Sequence, residues 1–189
     1  MFLDYFSAKT LEKFISEFNG EIKVVKFQNK ISVWAGGFEQ SGPLVEKIWQ
    51  DLPPAKNVLI LGLGCGSILK HLSASKITGV EIDSVMIEIG KKYFDYKNTK
   101  IIVDSGRAAL ARMTQLFDLI IVDMYKSGKM EKLIVPTDYL TKNGIIIYNQ
   151  LCFGKDAFDI ESSLDKNPLV NVKEIKKFQY NKLIFCSKK

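Results

Sequence analysis

Histidine is nearly absent from this chain and cysteine is scarce: its 189 residues include one His, His71, and three Cys, Cys65, Cys152 and Cys186. The thiols are far apart, odd in number and form no CxxC pair, so neither a disulfide framework nor a zinc ribbon is supported. With a single imidazole, a metal site would have to rest on carboxylates, and none is expected. Cysteine used this way fits a reducing compartment, and a cytoplasmic location is expected. No apolar run approaches the ~18 residues of a membrane-spanning helix. The first residues also lack the basic, apolar and small-residue order of a secretory leader. Membrane association is therefore not expected. The sequence has no internal repeats and no low-complexity segment.

The composition is that of a globular chain. Apolar residues make up 47% and charged residues 25%, close to the usual ~45–50% and ~25%. The length fits one domain, or one domain with a small appendage. Lys and Arg number 27 against 21 acids, a net charge of +6, which favours anionic partners in a general way. Lys91-Lys92 and Lys176-Lys177 read as solvated faces, so nucleic acid is not indicated beyond this mild basic charge.

Two parts differ in pattern, and the expected division is 1–52 and 53–189. In the first, Leu11, Phe14, Ile15 and Phe18 recur at helical spacing, predicting an amphipathic helix over Thr10–Phe18 that Asn19-Gly20 stops. Two β-rich runs around Gln28-Asn29-Lys30 predict a hairpin, which Gly36-Gly37 ends. A helix is expected from Pro43 to Gln50, and Pro53-Pro54 breaks the chain. In the second part, Val58–Leu61, Ile77–Ile82, Lys100–Val103, Leu119–Val122 and Ile145–Tyr148 are apolar runs of the kind found in strands covered on both faces. Helical stretches are expected between them near 67–72, 85–93, 106–113 and 130–140. Alternation of this type predicts an α/β fold with a mostly parallel, seven-stranded, Rossmann-like sheet. Two final β runs, Val170–Phe178 and Tyr180–Cys186, predict an antiparallel hairpin closing the sheet.

Chemistry concentrates at the ends of these strands. Gly62-Leu63-Gly64-Cys65-Gly66-Ser67 follows a buried strand and opens a helical stretch, where glycines permit a tight turn and bare backbone can meet a ligand. Glu81 ends the next strand 19 residues after Gly62, near the ~20 expected of a ribose-binding acid. A nucleoside cofactor follows from the pair. Asp83 can support Glu81 or cap the next helix, and Asp104-Ser105 ends the third strand, where Asp104 can also be an N-cap. His71 reads as a packing residue and Cys65 as a small filler in the glycine loop.

The spacing Gly62, Gly64, Gly66 is GxGxG rather than the GxGxxG of dinucleotide enzymes. With Val80-Glu81-Ile82-Asp83 and the terminal hairpin, it resembles the class I S-adenosylmethionine-binding fold. The ordered set GGFEQSG, VLILGLGCG, VEIDSVMIEIGKKYF, DSGRAAL and FDLIIVD is similar to the spermidine synthase family from about Ile22 onward. That resemblance implies cofactor contacts from Gly62, Gly64, Gly66, Glu81, Asp83, Asp104, Ser105 and Asp123, and from Gln40 on the thioether and ribose side. The cofactor implied is S-adenosylmethionine or its decarboxylated form. Family members often form homodimers through the N-terminal unit, for which Phe2, Leu3, Tyr5 and Phe6 offer an apolar patch.

Departures from the family pattern shape the functional expectation. Cys65 stands where aminopropyltransferases carry an Asp in the glycine loop. Asp123 matches the first Asp of their strand-four loop, while Lys126 replaces the second, catalytic Asp. A lysine cation cannot take a proton from an amine and repels a polyamine. Methyl transfer depends mostly on positioning and tolerates that loss better. The expectation is therefore methyl transfer to an unknown small-molecule acceptor, with Asp123 as the catalytic candidate and Tyr125 against the substrate. The alternatives are aminopropyl transfer from decarboxylated S-adenosylmethionine and a non-catalytic adenosyl-binding homologue.

Overall fold

The computed structural model describes residues 8–96, 98–126, 129–152, 159–178 and 180–189. The apolar patch at Phe2, Leu3, Tyr5 and Phe6 lies outside them. The chain divides into two compact units. One comprises 1–52, 64–71 and 83–97; the other comprises 53–63, 72–82 and 98–189.

The first unit is built on a four-stranded antiparallel meander: β1 (Lys9–Ser16), β2 (Gly20–Phe27), β3 (Lys30–Ala35) and β4 (Phe38–Ser41). The hairpin read from the sequence is β2–β3, and Gly36-Gly37 is the turn into β4 rather than the end of the unit. The helix expected over Thr10–Phe18 is strand β1. The register with β2 shifts between Thr10 and Glu12, so Leu11 is bulged. An extra residue in a strand displaces the alternation, and the apolar spacing then imitates a helical one. Phe14 packs toward the unit's core while Ile15, beside it, is 78% exposed on the other face. Ile22, Val24 and Val33 form that core with Cys65, Met86 and Ile89. A one-turn helix α1 (Pro43–Glu46) continues as a 3₁₀ turn, Lys47–Trp49, whose Trp49 is buried. Another 3₁₀ turn, Ser67–His71, follows the glycine loop, and α2 spans Ser84–Tyr93.

The second unit holds a sheet of seven described strands. They are β5 (Asn57–Leu61), β6 (Lys76–Glu81), β7 (Thr99–Val103), β8 (Phe117–Val122), β11 (Leu140–Leu151), β12 (Val170–Lys177) and β13 (Asn181–Lys188). Their order is β12-β13-β11-β8-β5-β6-β7, parallel from β11 to β7 and antiparallel at β13 and β12. Leu59, Leu61, Ile120 and Val122 are fully buried, which explains why these strands read as continuous apolar runs. Each such side chain contributes about 1.5–3 kcal/mol by leaving water. Helix α3 (Gly106–Ala111) follows β7, and α4 (Ile160–Asp165) precedes β12. Two short strands, β9 (Tyr125–Lys126) and β10 (Lys129–Met130), pair after β8.

The helix expected over Met130–Leu140 is absent. Residues 131–136 form neither helix nor strand, and Pro136, in extended conformation, leads into a 3₁₀ turn, Thr137–Tyr139. Pro136 disfavours helix in the residue before it. Leu133 and Val135 are buried in the core and Ile134 between them packs against it, so irregular chain supplies the apolar residues that read as helical. No helix among the described residues is long and apolar enough to cross a membrane.

Candidate functional site

Strand order in the second unit reverses at β5: the chain runs β5-β6-β7 to one side and β8-β11 to the other. Open α/β sheets bind ligands at the carboxyl ends beside such a switch point. The residues there are Gly62 after β5, Glu81 ending β6, Asp104 after β7, Asp123 after β8 and Asn149 near the end of β11. Gly62 has φ +89°, and a Cβ at this position would collide with the Asp123 carbonyl oxygen. Its bare α-carbon is what lets the β5 and β8 ends approach. The Gly62 and Leu63 amides both donate to the Val80 carbonyl at 2.9 Å, the Asp104 amide donates to the Glu81 carbonyl at 3.0 Å, and the Asp123 amide donates to the Leu61 carbonyl at 2.8 Å. The three carboxylate-bearing strand ends are thereby tied to one another through the end of β5.

Glu81 is buried at 9% exposure. Asp104 accepts from the Ser105 amide at 2.7 Å and pairs with Arg112, and these contacts hold its carboxyl below the usual range, Arg112 foremost. Ser105 caps α3, its Oγ accepting from the Ala108 amide at 3.2 Å. Asp123 accepts at Oδ1 from Asn149 Nδ2 at 2.8 Å. Burial, reinforced by the Glu81 charge and opposed by Asn149, pushes the Asp123 pKa from 3.8 up to about 7. Tyr125 donates its hydroxyl to the Asn149 carbonyl at 2.7 Å and accepts from the Leu151 amide at 2.9 Å. Its hydroxyl is therefore engaged with backbone, and burial raises its pKa. Tyr125 can offer a substrate its ring more readily than its oxygen.

The remaining sequence candidates lie in the first unit. Gln40 sits on β4 and donates to the Ala35 carbonyl at 3.3 Å. Asp83 is 1% exposed and caps α2, accepting from the Val85 amide at 2.9 Å, Ser16 Oγ at 2.5 Å and Asn19 Nδ2 at 2.7 Å. Capping and cross-linking to the β1–β2 turn account for both of its oxygens. Gly66 has φ +79°, and a Cβ there would overlap the Tyr96 ring. The Tyr96 hydroxyl donates to the Gly64 carbonyl at 3.0 Å. Tyr96 thus braces the glycine loop, a role nothing in the local sequence signals. Cys65 is fully buried with its sulfur 3.4 Å from that of Met86, the filler role expected of it. The loop opens a five-residue 3₁₀ turn rather than the α-helical stretch expected there. His71 is partly buried with Nε2 unpartnered among the described residues; burial and Lys70 lower its pKa.

Nothing in the sequence singles out Asn149 or Asn181 as a site residue, and Asn181 donates Nδ2 to Asn149 Oδ1 at 2.8 Å. No group of three or more His, Cys, Asp or Glu placed to hold a metal occurs among the described residues.

This is the Rossmann-like methyltransferase fold. A ribosomal protein L11 methylase from Lactobacillus delbrueckii superposes with TM-score 0.52 at 16% identity, covering 77% of this chain and 76% of that one. A Streptococcus mutans protein solved with SAH bound gives 0.53 at 15% identity, covering 77% and 96%. At residues 46–186 the chain matches the spermine/spermidine synthase domain, and it belongs to that family. A polyamine aminopropyltransferase from Buchnera aphidicola is 33% identical over 143 residues, covering 66% of this chain and 50% of that protein. One from Ruegeria is 35% identical over 112 residues, covering 49% and 39%. A Drosophila pseudoobscura eEF1A lysine and N-terminal methyltransferase homolog is 37% identical over 79 residues, covering 36% and 12%. The chain spans half or less of the length of these curated relatives.

Proposed function

We propose that this chain is an alkyltransferase using an adenosyl sulfonium, and that it moves an aminopropyl group from decarboxylated S-adenosylmethionine to an amine. The expectation of methyl transfer gives way to what was its alternative, because the similar proteins named polyamine aminopropyltransferase support aminopropyl transfer. The observation that carries the reading is Asp123: a partly buried carboxyl beside Glu81, titrating near neutrality, at the sheet's switch point. Two carboxyls in reach of each other favour a cationic ligand.

The acceptor-rich strand ends fit an adenosyl sulfonium, which presents hydroxyls, an exocyclic amine and positive charge. When bound, that group supplies the electrophilic carbon. Glu81 would accept from the ribose hydroxyls, and bonds to a charged acceptor are worth about 1.5–3 kcal/mol each. Asp104, its carboxylate oriented by the Ser105 amide, would accept from the adenine amine. Asp123 has Oδ1 occupied by Asn149, so Oδ2 is the atom that would take the proton of the attacking amine. The Tyr125 ring, with its hydroxyl fixed, would wall the acceptor side.

Methyl transfer remains the second reading on one observation: Lys126 stands where the resemblance puts the second acid. The test supplies decarboxylated S-adenosylmethionine with putrescine and, separately, S-adenosylmethionine with the same amine. Methylthioadenosine and an aminopropylated amine should form in the first mixture, with a rate about 100-fold lower in Asp123→Asn. Turnover only of S-adenosylmethionine would replace this reading with methyl transfer. Turnover of neither would refute both.

A further inference from the structure

Asn149 and Asn181 lie 32 residues apart and meet only through the antiparallel register of β11 and β13. Leu151 pairs with Asn181 and Asn149 with Leu183, so the two asparagines are diagonal neighbours on one face of the sheet. An asparagine amide has one accepting and one donating end. Asn181 Nδ2 donates to Asn149 Oδ1 at 2.8 Å, which turns the Asn149 NH₂ toward Asp123 Oδ1, also at 2.8 Å. The Asn149 backbone is anchored as well, its carbonyl accepting from the Tyr125 hydroxyl. Asn149 is 4% exposed, so a wrongly turned amide would leave buried groups unpaired, and its side chain is held in one orientation.

We infer that Asn149 is the positioning residue for Asp123 and that Asn181 is its orienter: donation runs from Asn181 to Asn149 to Asp123 and ends on a carboxylate. A carboxylate can only accept, so this direction favours the ionised form of Asp123. The reverse direction, with Asn149 offering its carbonyl, requires Asp123 to carry a proton. Asn181 therefore decides which form of Asp123 is favoured without touching it. The other titratable groups facing this cluster are Glu81 on β6, Tyr125 on β9 and Cys152 beyond Tyr125. Lys182, next to Asn181, is paired with Glu161 at 2.6 Å and lies 4.0 Å from Asp159. Burial and the Glu81 charge favour protonation of Asp123, and the Asn149 bond is what opposes it.

The role in transfer rests on the function proposed above, but the network can be tested without it. In the ligand-free chain, the Asp123 carboxyl carbon is followed by NMR across pH in wild type, Asn149→Leu, Asn181→Leu and the double variant. Asn149→Leu should raise the Asp123 midpoint by about one pH unit, a tenfold change in its ionisation equilibrium. Asn181→Leu should shift it the same way by less, and should add nothing in the Asn149→Leu background. If Asn149→Leu does not fold, Asn181→Leu at the half-buried strand end decides: an upward midpoint supports the inference and an unmoved one overturns it. A shift from Asn181→Leu that persists undiminished without Asn149 also overturns it. The pH profile of kcat is the separate readout. If the NMR midpoint moves and that profile does not, the network stands and the role of Asp123 in transfer fails.

Discussion

Replacing Asp123 with asparagine should make the folded chain more stable at alkaline pH and change little at acid pH. Unfolded, Asp123 titrates at its ordinary 3.8; folded, at about 7. Below the lower value both states are protonated and the residue is neutral in its effect. Between the two, the folded state keeps a proton that the unfolded state has released, so stability falls as pH rises. Above about 7 the full penalty is present. At about 1.4 kcal/mol per pH unit, the rise from 3.8 to about 7 corresponds to at most about 4 kcal/mol. Water reaching the partly exposed carboxyl would lower that figure. The amide in Asp123→Asn would still accept from Asn149 through its carbonyl oxygen, so the hydrogen bond survives the change. Urea melts of both proteins from pH 5 to pH 9 give the difference, because titrating groups not coupled to Asp123 cancel. The stability of Asp123→Asn relative to wild type should climb through pH 5–8 by about 1–2.5 kcal/mol, the part of the penalty that falls in that window, or roughly 2–10 °C in Tm. Parallel curves would show that Asp123 is not held near neutrality and would remove it as a proton acceptor.

Three further outcomes follow from the same contacts. Gly66→Ala should lower stability by about 2–4 kcal/mol in a thermal melt, since φ +79° is strained for any side chain and a Cβ would strike the Tyr96 ring; a variant as stable as wild type would refute the bracing role of Tyr96. Asp83→Ala removes the α2 cap and leaves Ser16 and Asn19 without their acceptor; a loss of about 2–4 kcal/mol is expected, and denaturant unfolding measures it. Glu81→Gln keeps the shape and removes the charge at the end of β6, so methylthioadenosine affinity should fall about 10-fold by calorimetry, while unchanged affinity would take Glu81 out of the ribose contact.

The buried parallel strands were legible because strands covered on both faces leave unbroken apolar runs, as in Val58–Leu61 and Leu119–Val122. The strand-end positions of Gly62, Glu81, Asp104 and Asp123 followed from them. Element type failed where local geometry disguised the period. The bulge at Leu11 gave β1 a helical look, and Leu133 and Val135 fill the core from irregular chain where a helix was expected. Long-range partners were invisible. Asn181 reaches Asn149 only through hairpin register, and Tyr96 reaches Gly64 and Gly66 only through tertiary packing. Cys65 shows the opposite case: its departure from the family pattern was read from the sequence, while the reason for a small apolar residue there, the contact with Met86, needed the fold.

Calorimetric titration with methylthioadenosine and, separately, S-adenosylhomocysteine tests the central claim most directly. Both carry the adenosine that Glu81 and Asp104 would hold, and they differ in the tail. The account predicts that methylthioadenosine binds at least about tenfold tighter, a difference of about 1.4 kcal/mol, because the carboxylates Glu81 and Asp123 disfavour the homocysteine carboxylate. Tighter binding of S-adenosylhomocysteine, or no heat with either compound, would contradict it.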